Sequence, residues 1–219
     1  MDTAQPHNTD NRTDILKLIA IITMLIDHIG ALLFPDIIIF RIIGRIAFPI
    51  FAYHLVIGYK NTANLKKYVL RLSLFAVVSQ IPFTFFGRGL NIFFTLLIGI
   101  LAIYLYEKNR RGLLMLLFLS IPLFTYFIIY FDYELYGVLM ILLFYIFYED
   151  QNKTILSFTG LTLLYCIDIN HYIQMYAIFA LPLFYTDFKI KIRLSRYFFY
   201  AFYPVHITVL LIVERLFFS

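Results

Sequence analysis

Tryptophan is absent from this 219-residue chain, cysteine occurs once, at Cys166, and only 14% of the residues carry a charge. A lone thiol excludes an internal disulfide framework and a cysteine-built zinc site, and leaves the redox compartment unread. The scarcity of charge excludes an ordinary soluble domain, in which about a quarter of residues are Asp, Glu, Lys or Arg. The net +5 therefore reports membrane topology and not affinity for nucleic acid. A basic leader and a small-residue cleavage site are also lacking around the polar start MDTAQPHNTDNRT. The first apolar run is expected to stay in the protein.

What the chain has in abundance is apolar surface: 62% hydrophobic residues, with 25 Phe and 18 Tyr. Runs of bilayer-spanning length, roughly 17–25 residues, stand between charged punctuation at 15–34, 41–59, 68–86, 91–107, 113–130, 134–148, 154–168, 171–186 and 197–217. Because the runs are continuously apolar and not alternating, they read as helices and not as barrel strands. The fold expected is an all-α, polytopic transmembrane bundle of about nine helices. Residues 1–13 form a polar cytoplasmic tail and 14–219 one bundle, with no linker and no repeat. Pro49, Pro82, Pro122, Pro182 and Pro204 fall inside the runs and predict kinks. Tyr104, Tyr106, Tyr130, Tyr133 and Tyr148 sit near run ends as interfacial anchors.

On this segmentation all 18 lysines and arginines except Arg41, Arg45, Arg88 and Arg215 fall on the amino-terminal side. That asymmetry predicts a multi-pass protein of the cytoplasmic membrane with its amino terminus inside and its carboxyl terminus outside.

Against this background a few ionisable residues need an explanation. In "DILKLIAIITMLIDHIG", Lys17 and His28 are eleven residues apart. They fall within about 20° of one helix face and roughly 16 Å apart along its axis. Lys17 alone is explained by snorkelling to the interface, and His28 by an interhelical hydrogen bond. Ionisable groups at membrane depth nevertheless tend to be functional. Asp27 diverges from His28 by about 100°, so a partner for the imidazole must come from another segment.

Candidates gather toward the outer half. Arg41 and Arg45 are spaced i, i+4 on one face at the start of the second run, and Arg45, one turn into the apolar zone, is placed either to pair with Asp27 or to anchor at the interface. Asp132 and Glu134 lie in "FDYELYG", and Asp168 and His171 in "CIDINHY", where solvated loops are the plain reading. His206 stands two residues after Pro204 in the last run, and His54 lies further along the second. Gln80, Asn91 and Thr95 are explained equally well as bundle glue. A histidine base, carboxylates and arginines around one cavity suit proton removal from a nucleophile and stabilisation of an oxyanion, the equipment of acyl transfer. The sequence shows no phosphate-cradling glycine loop and no metal-ligand spacing.

The succession Asp14, Lys17, His28, with ten residues between the last two, resembles the first-helix pattern of the integral-membrane acyltransferase superfamily. More specifically, "LKLIAIITMLIDHIG", "RIIGRIAFPIFAYHLVIGYKNTANLKKYVLRLSLFAVVSQIPF" and "YFFYAFYPVHITVLL" resemble the TraX family, named for a pilin acetylase; residues 110–195 carry little of the motif. The resemblance implies transfer of an acetyl group from cytoplasmic acetyl-CoA, a co-substrate, to a peptide amine or a glycan hydroxyl at the membrane, without a metal or nucleic acid. It implies His28 as catalytic, Lys17 and Arg45 as donor-binding residues and His206 as a supporting one; the reading of the residues themselves adds Asp27 to the catalytic site and Arg41, Asp132, Asp168 and His171 as supporting groups.

Two other functions compete. A small transporter could relay protons through Asp27, His28 and His206, although the charge-free centres of the fifth to seventh runs lack the matched halves common in transporters. A non-catalytic membrane assembly factor could retain the same fold.

Overall fold

Within a hydrocarbon layer each backbone N–H and C=O must be satisfied inside its own segment, and the apolar runs fold accordingly. The computed structural model describes residues 9–87, 89–115, 132–169, 172–186, 188 and 195–217. Nine α-helices are delimited among them: α1 Thr9–Leu32, α2 Ile38–Gly44, α3 Ala47–Asn61, α4 Leu65–Phe86, α5 Ile92–Lys108, α6 Glu134–Ile146, α7 Gln151–Ile169, α8 Leu181–Tyr185 and α9 Arg196–Phe217. A 3-10 helix, Tyr172–Ala180, leads into α8, and no strand element occurs among the described residues. The protein is an all-α bundle. The expected run 113–130 lies almost entirely outside the described residues.

Four stretches are long and apolar enough to cross a membrane: Asp14–Leu32, Ile38–Asn61, Leu65–Phe86 and Tyr197–Phe217. Helix α6, with 13 residues, reaches only about 20 Å at 1.5 Å per residue. It is tolerated because α3, α5 and α7 surround it, and its ends meet protein instead of lipid. Met140, Ile141 and Phe144 of this helix are fully buried. On α4, by contrast, Leu70, Leu74, Val77, Ile81 and Phe85 form a stripe that faces out of the bundle.

The second expected run is broken in two, and proline is the reason. Pro49 sits in the first turn of α3; it has no N–H to offer the carbonyl of Arg45 four residues earlier, and its ring crowds that carbonyl. The chain turns at Arg45 and Ile46. Arg45 is thereby released from a regular helix face at the depth where it is needed.

Helix α1 is the hub, packed against α2, α3 and α9. Its approach to α2 depends on Gly44, where an added Cβ would stand 2.2 Å from Cβ of Asp27. Small residues that let helix backbones meet closely are the usual device of membrane bundles.

Candidate functional site

Adjacent residues of α1 serve two different neighbours, as a 100° step requires. Asp27 faces α2. Its Oδ1 accepts from Nη2 of Arg45 at 2.6 Å and its Oδ2 from Nη1 of Arg41 at 2.8 Å. The expected meeting of Arg45 with Asp27 is formed, and Arg41 completes a two-guanidinium clamp. Nε of Arg45 donates to the Arg41 carbonyl at 3.0 Å, and its Nη1 donates to Oε1 of Gln174 at 3.3 Å. Charges held this deep persist only when paired and hydrogen-bonded, and here both carboxylate oxygens are engaged.

His28 faces the other way, toward α9. Its Nδ1 lies 2.7 Å from Nε2 of His206, with the two rings stacked 5.0 Å apart. Nδ1 of His206 in turn lies 2.8 Å from the carbonyl oxygen of Phe202. A carbonyl only accepts, so that nitrogen carries the proton. With both rings neutral, Nε2 of His206 is then a bare acceptor, Nδ1 of His28 must be the donor, and Nε2 of His28 is left with its lone pair. The chain of bonds from Phe202 through His206 thus sets the tautomer of His28, the role of an orienting partner behind a base. Among the described residues, Nε2 of His28 has no hydrogen-bond partner.

That imidazole sits on the wall of a cavity of about 570 Å³. The lining runs from Lys17 to Ala31 along α1, a length of roughly 21 Å. Lys17 stands at one end, paired with Asp14 at 3.1 Å and lying over the ring of Phe199. Asp27, Arg41, Arg45 and Asp132 stand at the other, and His54 contributes to the wall between. Apolar groups close around His28, with Phe86 4.7 Å away ring to ring and Tyr203 6.0 Å.

Asp132 is half-buried in the turn before α6. Its carbonyl accepts from Thr95 Oγ1, and its N–H donates to the Leu90 carbonyl at 3.1 Å. Burial pushes its carboxyl up to about 6, against the opposing pull of the Arg45 guanidinium. Next to it Tyr133 has φ 64°, a left-handed conformation that costs a bulky side chain energy, and its ring stacks 4.0 Å from Phe48. Arg41, Arg45, Asp132 and Tyr133 also line a smaller cavity of about 210 Å³ together with Tyr165 and Gln174.

The structure therefore brings together Lys17, Asp27, His28, Arg41, Arg45, Asp132 and His206. Asp168 lies in the last turn of α7, with its side chain outside the described residues, as is the whole of His171. Asn91 is bundle glue: it caps α5 and donates to the Ala76 carbonyl at 2.8 Å. Gln174 and Tyr203 are site residues the sequence reading did not single out. Gln174 is the lone amide within "YIQMYAIFALPLFY", a signal of the same kind that flagged His28. Tyr203 was hidden among 18 tyrosines. Among the described residues no three His, Cys, Asp or Glu side chains are grouped as a metal would require.

Comparison with known proteins adds three findings. A sequence model of a family described as "TraX protein" matches residues 12–214. A probable fimbrial assembly protein, FimC of serogroup H1, from Dichelobacter nodosus is 29% identical over 236 aligned residues, covering 93% of this chain and 96% of that protein. An uncharacterized protein, RP591, from Rickettsia prowazekii (strain Madrid E) is 36% identical over 105 residues, covering 47% of this chain and 40% of that one. No solved structure matches.

Proposed function

The chain belongs to the TraX family, and from that premise, joined to the site geometry, we propose that it is an integral-membrane acetyltransferase. The donor is acetyl-CoA, entering from the cytoplasmic side, where the excess of lysine and arginine places the amino terminus. The acceptor is a peptide amine or a glycan hydroxyl on a component of fimbrial assembly, the process named for the Dichelobacter nodosus relative.

The observation that carries the reading is the hydrogen-bonded pair His28–His206 on the cavity wall. Nε2 of His28 removes the acceptor's proton as its lone pair attacks the acetyl carbon, and His206 keeps the ring in the tautomer that allows this. Lys17 stands at the far mouth, about 16 Å along the helix, a separation on the scale of an extended pantetheine arm. There its ammonium attracts a phosphate of the nucleotide end, as a point charge and without the fork of an arginine. Asp27, with both oxygens held by Arg41 and Arg45, acts as a positioning residue in this scheme. The two guanidiniums favour negative charge developing nearby.

The test is transfer of labelled acetyl from acetyl-CoA by the purified full chain in lipid, with an extract of surface fibres as acceptor and mass spectrometry to locate the label. His28→Ala is expected to abolish transfer without changing Tm, and Lys17→Gln to raise KM for acetyl-CoA several-fold with little effect on kcat. Transfer by His28→Ala at the wild-type rate would overturn the mechanism.

A further inference from the structure

Tyr203 carries an exceptional hydroxyl. The residue is 3% exposed and its oxygen, buried, completes no hydrogen bond among the described residues. The backbone N–H of Ile92, at the start of α5, faces that oxygen. A donor on that side leaves the hydroxyl's own proton free to point elsewhere. Native proteins leave few buried polar atoms unpaired, because each forfeits the hydrogen bond it made to water. An orphan of this kind calls for a partner that arrives from outside the chain.

Its position says what that partner is. Tyr203 lines the same cavity as His28. Its ring stands edge-on to both imidazoles, 6.0 Å from His28 and 5.5 Å from His206, and is held from behind by Phe93 at 5.2 Å. His28 and Tyr203 are therefore neighbours on one cavity wall. Between them they hold a nitrogen lone pair able to take a proton and an O–H able to donate one. Arg41 and Arg45, by contrast, are each paired with Asp27.

We propose that the Tyr203 hydroxyl is the oxyanion donor of the site, hydrogen-bonding the acetyl carbonyl oxygen as it becomes negative. This assignment rests on the acetyltransferase reading above. In the step, the acceptor's lone pair forms a C–N or C–O bond to the acetyl carbon, and the carbonyl π pair moves onto oxygen. Nε2 of His28 takes the acceptor's proton while Tyr203 O–H donates to the oxyanion. The C=O bond then re-forms, the C–S bond breaks with its electron pair on sulfur, and the proton held by His28 passes to the departing thiolate. A donor engaged more strongly by the oxyanion than by the ground-state carbonyl acts on kcat more than on KM.

The experiment uses the full chain in lipid. Tyr203→Phe removes one oxygen and keeps the ring. It is expected to lower kcat roughly 100-fold, the scale for loss of one oxyanion donor, while KM for acetyl-CoA and the pH profile stay as in wild type and Tm holds or rises, since an unpaired buried hydroxyl is removed. A second readout needs no turnover: the infrared band of ¹³C-carbonyl acetyl-CoA bound to His28→Ala should move to higher frequency when Tyr203→Phe is added. If wild type turns over and Tyr203→Phe matches it within twofold, or if the band does not move, the assignment is overturned while acetyl transfer stands. If wild type neither binds nor uses acetyl-CoA, both readings fall. Should Tyr203→Phe not accumulate, the band in His28→Ala alone decides: a frequency equal to that of the thioester in hydrocarbon overturns the proposal.

Discussion

Nδ1 of His28 and Nε2 of His206 stand 2.7 Å apart although 178 positions separate them in the chain. The first and last delimited helices meet at this point, and the pair converts a buried imidazole into one of fixed tautomer. The arrangement resembles the base and the orienter of a nucleophile–base–orienter series, with the Phe202 carbonyl behind the orienter.

Replacing His206 should therefore act through His28. His206→Phe fills the same space without an acceptor and is expected to lower kcat about 100-fold, within the range attributed to a positioned general base. His206→Gln supplies an amide oxygen to accept from Nδ1 of His28 and should recover part of the loss. Initial rates of the two variants check this; equal rates would sink the relay.

Asp27 neutralises two guanidiniums at depth. Asp27→Asn keeps the shape and removes the charge, leaving Arg41 and Arg45 without their counter-ion. Breaking one side of a buried ion pair costs about 3–5 kcal/mol, to be seen as a lower Tm of the purified protein. Adding Arg45→Met should restore part of the stability, because the residual charge is then single. An Asp27→Asn protein as stable as wild type would contradict the clamp.

Gly44 makes the same clamp possible from the backbone side. In Gly44→Ala the new methyl meets Asp27 at 2.2 Å, so α1 and α2 must separate. Overpacking of this kind costs about 1–3 kcal/mol, and the shift also lengthens the bonds from Arg41 and Arg45. Thermal unfolding and acetyl transfer measured on one preparation should both decline; an unchanged Tm would show that the helices part freely.

Asp132 gives a pH signature. Its carboxyl is raised to about 6, so the folded state binds this proton more tightly than the unfolded chain does. Stability attributable to the residue falls as pH rises from about 4 to 6, and the penalty persists above that. Asp132→Asn is expected to match wild type near pH 4 and to exceed it above pH 6, by up to about 3 kcal/mol for a two-unit rise. Unfolding curves at several pH values decide; a difference independent of pH would mean that the carboxyl is unperturbed.

Some of this was legible in residues alone. The length of the apolar runs required helices, because hydrocarbon leaves backbone groups no other partner. The eleven-residue spacing of Lys17 and His28 placed both on one face, and both line the cavity. The lone depth of Asp27 implied a cation, and Arg45 supplied it. Short segments were less legible: 134–148 and 171–186 read as spans because composition does not say whether lipid or protein surrounds a helix, and α6 is enclosed by its neighbours.

By itself, then, the sequence determined the membrane class, the helical fold, a kink at Pro49 and the ionisable residues that needed partners. These follow from local chemistry, since hydropathy, proline geometry and helical spacing act within a few turns. Only the tertiary structure decided that His28 meets His206, that Asp27 is shared by two arginines and held near Gln174 through Arg45, and that Tyr203 rather than another of 18 tyrosines faces the imidazoles. Those pairings depend on which helix faces pack together, and apolar faces that meet lipid and apolar faces that meet protein are written in the same residues.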